Sequence, residues 1–248
     1  MRAALIGDVH ANLPALEAVL EHARHRGAEA VWNIGDWVGY GAFPEEVVRL
    51  LRREATVSIV GNYDRKVLEF PERATEWRRT KRPEKYLAFR WAWENLSIES
   101  RRYLGSMPHE HRLNAAGYSV LLVHGSPAAI DESLYEDTTE ERLRELAELA
   151  RADIVVFGHT HQPFVRRVGS CRFINTGSVG RQDDGDPRAS YALLELQPGA
   201  VDVRHFRVDY NIERAVTAVR RHELPDAFAE MLRRGRKLTW VLERRAAG

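Results

Sequence analysis

Cysteine is nearly absent from this sequence of 248 residues. Cys171 stands alone, so no intrachain disulfide can form and a reducing cytoplasm is the expected setting. Within "VGSCRFIN" it reads as a small strand residue rather than a nucleophile. Long apolar runs are missing too: "MRAALIGDVH" has too short an apolar stretch before Asp8 for a signal peptide, and no later run approaches a membrane span. Neither sign of charge dominates. The 37 basic and 36 acidic residues leave a formal net charge of +1 in short alternating groups, with no basic stripe of the kind that specific nucleic-acid binding uses. There is no internal repeat and no linker. What is present, 44% hydrophobic and 29% charged residues, belongs to a soluble globular chain long enough to bury one large core, so a single domain over 1–248 is expected.

Apolar periodicity orders the chain. "AALIG" reads as a short buried strand, and after Asn12 the residues Leu13, Leu16, Val19, Leu20 and Ala23 recur at helical spacing, with Asn12 as the cap and Pro14 tolerated in the first turn. "EAVWNIGD" follows as a strand, "PEEVVRLLRRE" as a helix and "TVSIVGN" as a strand, an alternation that predicts a parallel α/β core. From about residue 70 to 107 the chain turns Arg-rich and aromatic-rich without strand character, which predicts a helical insertion over one edge of that core. Its Trp91 and Trp93 are expected to pack. Strands return at "YSVLLVHG" and, after the helix "TTEERLRELAELARA", at "DIVVFGHT". The shorter "PFVRRVG", "CRFINTG", "SYALLEL" and "AVDVRHFRV" read as antiparallel strands. A helical tail from about 211 to 248 is broken at Leu224-Pro225.

Five segments place ligand-type residues directly after an apolar strand: "GDVHAN" (Asp8, His10, Asn12), "IGDWVGYG" (Asp36), "VGNYD" (Asn62), "LVHGSP" (His124) and "FGHTHQP" (His159, His161). Carboxyl ends of strands in an α/β sheet are where ligands bind, and parallel strands bring such ends together. In an extended segment residues i and i+2 point the same way, so Asp8 with His10, and His159 with His161, can each aim two ligands into one space. Two carboxylates, four imidazoles and a carboxamide exceed what one open metal site needs and suit two metals sharing a carboxylate. Such a pair keeps positive charge for an anionic phosphate and provides a bridging hydroxide as nucleophile at neutral pH.

Each piece has a plainer reading. Asp-x-His, Gly-Asp and Gly-Asn are common turn pieces, and a single buried histidine such as His124 is usually hydrogen-bonded core. "HEH" at His109 and His111 has the His-x-His spacing but reads as a polar strand start; His22 and His25 read as solvated on a helix, and His205 and His222 lack companions. Order and context separate the five segments from these.

The series "GDVHAN", "GDWVGYG", "GNYD", "VHGSP", "GHTH" resembles the calcineurin-like metallophosphoesterase superfamily, whose segments read D-x-H, G-D, G-N-H-[ED], H and G-H-x-H in that order. It is closest to the small prokaryotic phosphodiesterase-like branch, which also carries a later N-x-G-S-V-G segment, here Asn175 to Gly180. The resemblance spans roughly residues 4 to 196, and the tail "LPDAFAEMLRRGR" is similar to that of some longer members. It implies a four-layer α/β/β/α sandwich with two mixed sheets and a dinuclear site between them. One metal would be held by Asp8, His10, Asp36 and His161 and the other by Asp36, Asn62, His124 and His159, so that Asp36 bridges. Nitrogen and oxygen ligands without sulfur suit divalent transition ions, with manganese expected and iron, zinc, cobalt or nickel as alternatives.

One position departs from the family pattern. Where many members have a histidine after Gly-Asn that protonates the leaving group or contacts the phosphate, this chain has Tyr63. A phenol with a pKa near 10 replaces an imidazole near 6.5. General acid catalysis is worth ~10²–10⁴-fold, mostly for poor leaving groups, so activated diesters suffer least. The alternative is that the Tyr63 ring simply forms a wall. The expected activity is therefore hydrolysis of a small phosphate ester, first a phosphodiester, with Asp36, Asn62, Tyr63 and His124 at the reacting centre. The alternatives are a phosphomonoesterase acting on nucleotides or phosphoproteins, and a non-catalytic scaffold such as the retromer subunit of this fold. The loop from Ser178 to Arg188 and the insertion are expected to shape the pocket, with Arg181 and Arg188 either meeting phosphate or facing solvent.

Overall fold

The computed structural model describes residues 1–246. The first half of the chain forms β1 (Arg2–Ile6), α1 (Leu13–His25), β2 (Ala30–Asn33), α2 (Pro44–Glu54), β3 (Val57–Ser58) and α3 (Asn62–Leu68). The insertion follows as α4 (Phe70–Thr80), α5 (Pro83–Glu94) and α6 (Ile98–Gly105). Next come β4 (Glu110–Ala115), β5 (Tyr118–Val123), α7 (Glu140–Ala150), β6 (Ile154–Phe157), β7 (Phe164–Val168), β8 (Cys171–Asn175), β9 (Ala189–Gln197) and β10 (Ala200–Val208). The tail is α8 (Ile212–Arg221), α9 (Asp226–Arg234) and α10 (Leu238–Ala246); its last two residues lie outside the described ones. Among the described residues no helix is long and apolar enough to cross a membrane.

The strands form two mixed five-stranded sheets, ordered β10-β9-β1-β2-β3 and β4-β5-β6-β8-β7. Strand alternation explains the layering. Ala3 and Leu5 of β1 face Val120 and Leu122 of β5 and Ile154 and Val156 of β6 in a core between the sheets. Ala4 and Ile6, pointing the opposite way, pack with Leu16, Val19 and Leu20 of α1. Leu121 and Val123 likewise turn outward to Leu143 and Leu146 of α7. Helix, sheet, sheet, helix is thus the order of layers, an α/β sandwich. Asn12 caps α1 by accepting a hydrogen bond from the Ala15 backbone N–H at 3.3 Å.

Two expectations change. "TVSIVGN" supplies only a two-residue strand, because the chain leaves β2 after Ile59 and the Val60 N–H donates instead to Pro108 O at 3.0 Å. The late strands are not all antiparallel: β7 pairs antiparallel with β8 and β9 with β10, but β8 runs parallel to β6 and extends the parallel centre. Trp91 and Trp93 are partly buried packing residues, the latter with Arg101 4.1 Å from its ring centroid. The helices of the tail share a separate cluster with Tyr40 and Ala42, the loop that follows Asp36.

Candidate metal centre

All seven ligand-type residues meet at the carboxyl ends of the parallel strands. Asp8 and His10 follow β1, Asp36 follows β2, Asn62 opens α3, His124 follows β5, and His159 and His161 follow β6. Six of them are buried; His159 is partly open and lines a cavity of about 350 Å³ beside the cluster. Asp8, His10 and His161 can bring one ligand atom each within 4.8 Å of one another, and so can Asp8, Asp36 and His124. Asp36 faces both groups, with Oδ2 3.7 Å from His10 Nε2 and Oδ1 3.4 Å from His124 Nε2. Asn62 Oδ1 lies 3.0 Å from His124 Nε2, and the His159 ring stands 5.3 Å from that of His124.

The extended i and i+2 geometry is not what brings these pairs together. Asp8, His10, Asp36, His159 and His161 all have left-handed backbone, with φ of 52°, 47°, 52°, 64° and 61°. Side chains outside glycine adopt this region at a cost of about 1 kcal/mol or more each, so the turns persist because neighbours over-determine them. The Asp8 N–H donates to Gly35 O, the His10 N–H to Asp36 O and the Gly180 N–H to Asp8 O, each at 3.0 Å. Close approach by two glycines completes the packing. A methyl on Gly61 would overlap Asp36 Oδ1 and its backbone nitrogen, and one on Gly158 would overlap Asp8 Oδ2.

The donor set calls for a cation. A backbone carbonyl only accepts, so His124 Nδ1 donates to Ile34 O at 2.9 Å and His10 Nδ1 to Val38 O at 3.4 Å. Each neutral ring then presents the lone pair of Nε2 inward. His124 Nε2 meets the acceptor Asn62 Oδ1, and His10 Nε2 meets His161 Nε2 at 3.3 Å. Asp8 Oδ1 is buried with His161 Nε2 3.2 Å away, while Asp8 Oδ2 accepts from the His159 backbone N–H. Lone pairs so arranged repel unless positive charge lies among them, so the residues fit divalent cations. Where a proton rather than a cation takes the Nε2 lone pair of His124, burial opposes its charge, yet Asp36 and Asp8 outweigh burial and push its pKa up to about 10, so proton and cation compete for that position. Burial drives His10 the other way, to about 3, against the pull of Asp36.

The wall behind the cluster comes from residues outside the ligand set. Asp64 accepts backbone N–H bonds from Trp37, Val38 and Gly61 at 2.8, 3.1 and 2.9 Å, tying the loop after β2 to the start of α3. Tyr63 lies in the cavity wall, its ring edge-on to His10 at 5.2 Å and its hydroxyl 2.5 Å from that of Tyr40. Burial and Tyr40 hold the Tyr63 phenol well above 10. Arg181 stacks over Tyr40 at 4.7 Å and pairs with Asp183 at 2.8 Å. Burial disfavours the Asp183 carboxylate, but Arg181 and His161 outweigh it and hold its pKa low. Of the two arginines flagged in the sequence, Arg181 faces the site and Arg188 lies exposed against Asp186.

The remaining histidines sit elsewhere. His22, expected to be solvated, is half-buried, with Nδ1 2.8 Å from the Tyr191 hydroxyl, because β9 and β10 bring Tyr191 and Phe206 against α1. His25 and His109 are exposed. His205 donates from Nε2 to Asn175 O at 2.7 Å, and His222 packs on Trp91. Tyr40 and Asp183 carry no recognisable motif of their own in the sequence, whereas Asp64 occupies the acidic position of the G-N-H-[ED] segment.

Residues 1–199 match the family model of the calcineurin-like phosphoesterase superfamily domain. An uncharacterized protein of Methanocaldococcus jannaschii is 31% identical over 252 residues, covering 94% of this chain and 98% of its own length. Phosphodiesterase YfcE of Escherichia coli is 26% identical over 209 residues, covering 79% of this chain and 88% of its own. A metallophosphoesterase from Sphaerobacter thermophilus superposes with a TM-score of 0.76 at 31% identity, over 95% of this chain and 99% of its own. A protein from Pyrococcus horikoshii shares the fold, with a TM-score of 0.85 at 20% identity over 95% and 99% of the two chains.

Proposed function

The chain belongs to the calcineurin-like phosphoesterase superfamily, a family of metal-dependent hydrolases, and on that premise we propose that it is a phosphodiesterase working with two divalent cations. The observation that carries this reading is the convergence of metal-ligating nitrogen and oxygen atoms from His124, Asn62, Asp36, His10, His161 and Asp8 on one buried space. Asp8, His10, Asp36 and His161 would hold one cation and Asp36, Asn62, His124 and His159 the other, with Asp36 shared. When bound, such a pair neutralises the phosphoryl oxygens and activates water at neutral pH.

The chain's own residues do the rest. Carbonyls of Ile34 and Val38 fix the tautomers of His124 and His10, so that both rings present Nε2. The Tyr63 backbone N–H, 2.7 Å from Asp36 Oδ1, holds that carboxylate in place. Arg181, lining the cavity, meets the negative charge of the phosphoryl group. Tyr63 holds its proton too tightly to act as an acid near neutral pH, because its phenol lies well above 10, and its hydroxyl pairs with that of Tyr40. Diesters with leaving groups that need no protonation are therefore preferred over alkyl esters. Manganese is the expected ion for an all nitrogen-and-oxygen set.

Asp36→Asn is the decisive test. Metal content measured by mass spectrometry should fall, and hydrolysis of bis(p-nitrophenyl) phosphate should drop by orders of magnitude. A variant that keeps two equivalents of metal and normal turnover removes the assignment of Asp36.

A further inference from the structure

The sequence has only four lysines, Lys66, Lys81, Lys85 and Lys237, arginine supplying the rest of its 37 basic residues. Three of the four line the cavity that opens beside the ligand cluster, together with Arg181. They arrive from three places: Lys66 from α3, Lys81 from the end of α4 and Lys85 from the first turn of α5. Most surface arginines with a nearby carboxylate are paired to it, as Arg49 is to Glu45 or Arg90 to Glu94. None of the three cavity lysines has a carboxylate within ion-pair distance among the described residues. Lys66 and Lys81 instead lie over the rings of Tyr63 and Trp77, at 5.5 and 5.9 Å.

Cations gathered without counter-ions repel one another, and that arrangement weakens the fold unless an anion joins it. Lys85 registers the repulsion. It is half-buried, and its ammonium is held below the usual lysine value first by burial and then by Arg181, Lys66 and Lys81. Arg181, unlike the lysines, is paired to Asp183 through Nη2, but its buried Nε has no hydrogen-bond partner. The acidic groups on the same wall are few: Asp131 is exposed at the rim, and Asp36 belongs to the ligand set. Phe89 of α5, buried on the same wall, gives the space an apolar side. At about 350 Å³ the cavity admits a small molecule rather than a polymer.

We propose that the substrate carries a second phosphate group besides the scissile ester, and that Lys66, Lys81 and Lys85 bind it. Lysine suits this role because each ammonium is a compact charge with three donors on a flexible stem, and it adapts to a phosphate without the planar geometry that arginine requires. The inference rests on the phosphodiesterase reading for the scissile bond, but the anion subsite stands on the lysines alone. It assigns the helical insertion, which supplies Lys81 and Lys85, to substrate choice.

Two nitrophenyl diesters of thymidine test the proposal: the 5′-(p-nitrophenyl phosphate), and the same compound carrying a 3′-phosphate. The leaving group is identical, so only the second phosphate differs. Manganese-loaded wild type should show kcat/KM at least ~10-fold higher for the 3′-phosphorylated compound, the worth of one charge-assisted phosphate contact. In the protein with Lys66→Gln, Lys81→Gln and Lys85→Gln that ratio should fall to about one. A wild-type ratio near one, or a ratio that survives the substitutions, overturns the proposal. Calorimetric titration with adenosine 3′,5′-bisphosphate gives an independent arm. Binding should weaken ~10-fold or more in Lys81→Gln, whose exposed position leaves folding undisturbed, and unchanged binding refutes the subsite. If wild type hydrolyses neither diester yet binds the bisphosphate through its lysines, the catalytic reading fails and the subsite remains.

Discussion

Gly61→Ala probes how tightly the site is built. Gly61 has ordinary extended backbone, φ −97° and ψ 176°, which alanine adopts without strain, so any effect must come from what the new methyl meets. It meets Asp36: the methyl would overlap the backbone nitrogen and Oδ1 and stand 2.9 Å from the Cα, where ordinary contact is about 3.5–4.0 Å. A backbone atom cannot step aside as the end of a side chain can. Asp36 is itself held in left-handed backbone, so relief must push the whole turn away from α3. Overpacking of this kind costs about 1–3 kcal/mol. The displaced carboxylate also loses the Tyr63 N–H, a charge-assisted bond worth about 1.5–3 kcal/mol. A total of about 2.5–6 kcal/mol, in a protein of this length, lowers the melting temperature by roughly 5–24 °C. Gly105→Ala is the control: it ends α6, a methyl there finds nothing nearer than 3.8 Å, and it should stabilise by about 0.4–1 kcal/mol. Thermal melts by circular dichroism with metal content per folded molecule read both. A Gly61→Ala protein that melts within a degree or two of wild type and retains its metal refutes the claimed contact between the two loops.

Tyr63→His should raise kcat/KM for diesters with alkoxide-like leaving groups by ~10²-fold or more, and change nitrophenolate esters little, because only the former need a proton in the transition state. Tyr63→Phe should leave both unchanged in rate while costing about 1 kcal/mol in stability from the lost Tyr40 bond; a uniform response of all esters to both changes makes Tyr63 a wall residue only. Burial lowers the pKa of His205 in the fold, so the unfolded chain binds more protons and stability should fall as pH drops below about 6.5. His205→Asn should flatten that slope between pH 7 and 5 in denaturant titrations, and an unaltered slope removes His205 as its source. Trp77, buried in the insertion and 5.1 Å from Phe89, should cost about 3–5 kcal/mol when changed to alanine, with metal uptake per folded molecule intact; metal loss in folded protein would place the insertion in the ligand site instead.

The layers and the ligand cluster were legible because both rest on local signals. Near-continuous apolar runs in "RAALI" and "YSVLLV" mark strands buried on both faces, and each candidate ligand sits one to four residues beyond a strand. Backbone conformation at those ligands was not legible, since the left-handed turns at Asp8, His10 and His159 are held by hydrogen bonds to loops that follow other strands. The same holds for His22, whose partners on β9 and β10 lie far along the chain, and for Tyr40 and Asp183, which matter only through Tyr63, Arg181 and His161. Three lysines spaced across three helices gave no periodic pattern; only the packing of the insertion against the core gathers them.

The family match ends at residue 199, but the molecule does not divide there. Phe228 of α9 stands edge-on to Tyr40 at 5.2 Å, and Tyr40 in turn touches Tyr63, Arg181 and the ring of His10. A fragment cut at that boundary would keep every ligand and yet leave one wall of the catalytic chamber unsupported. The limit of a recognisable motif set and the limit of a working part are therefore different places in this chain, and grafting or trimming the enzyme has to respect the second.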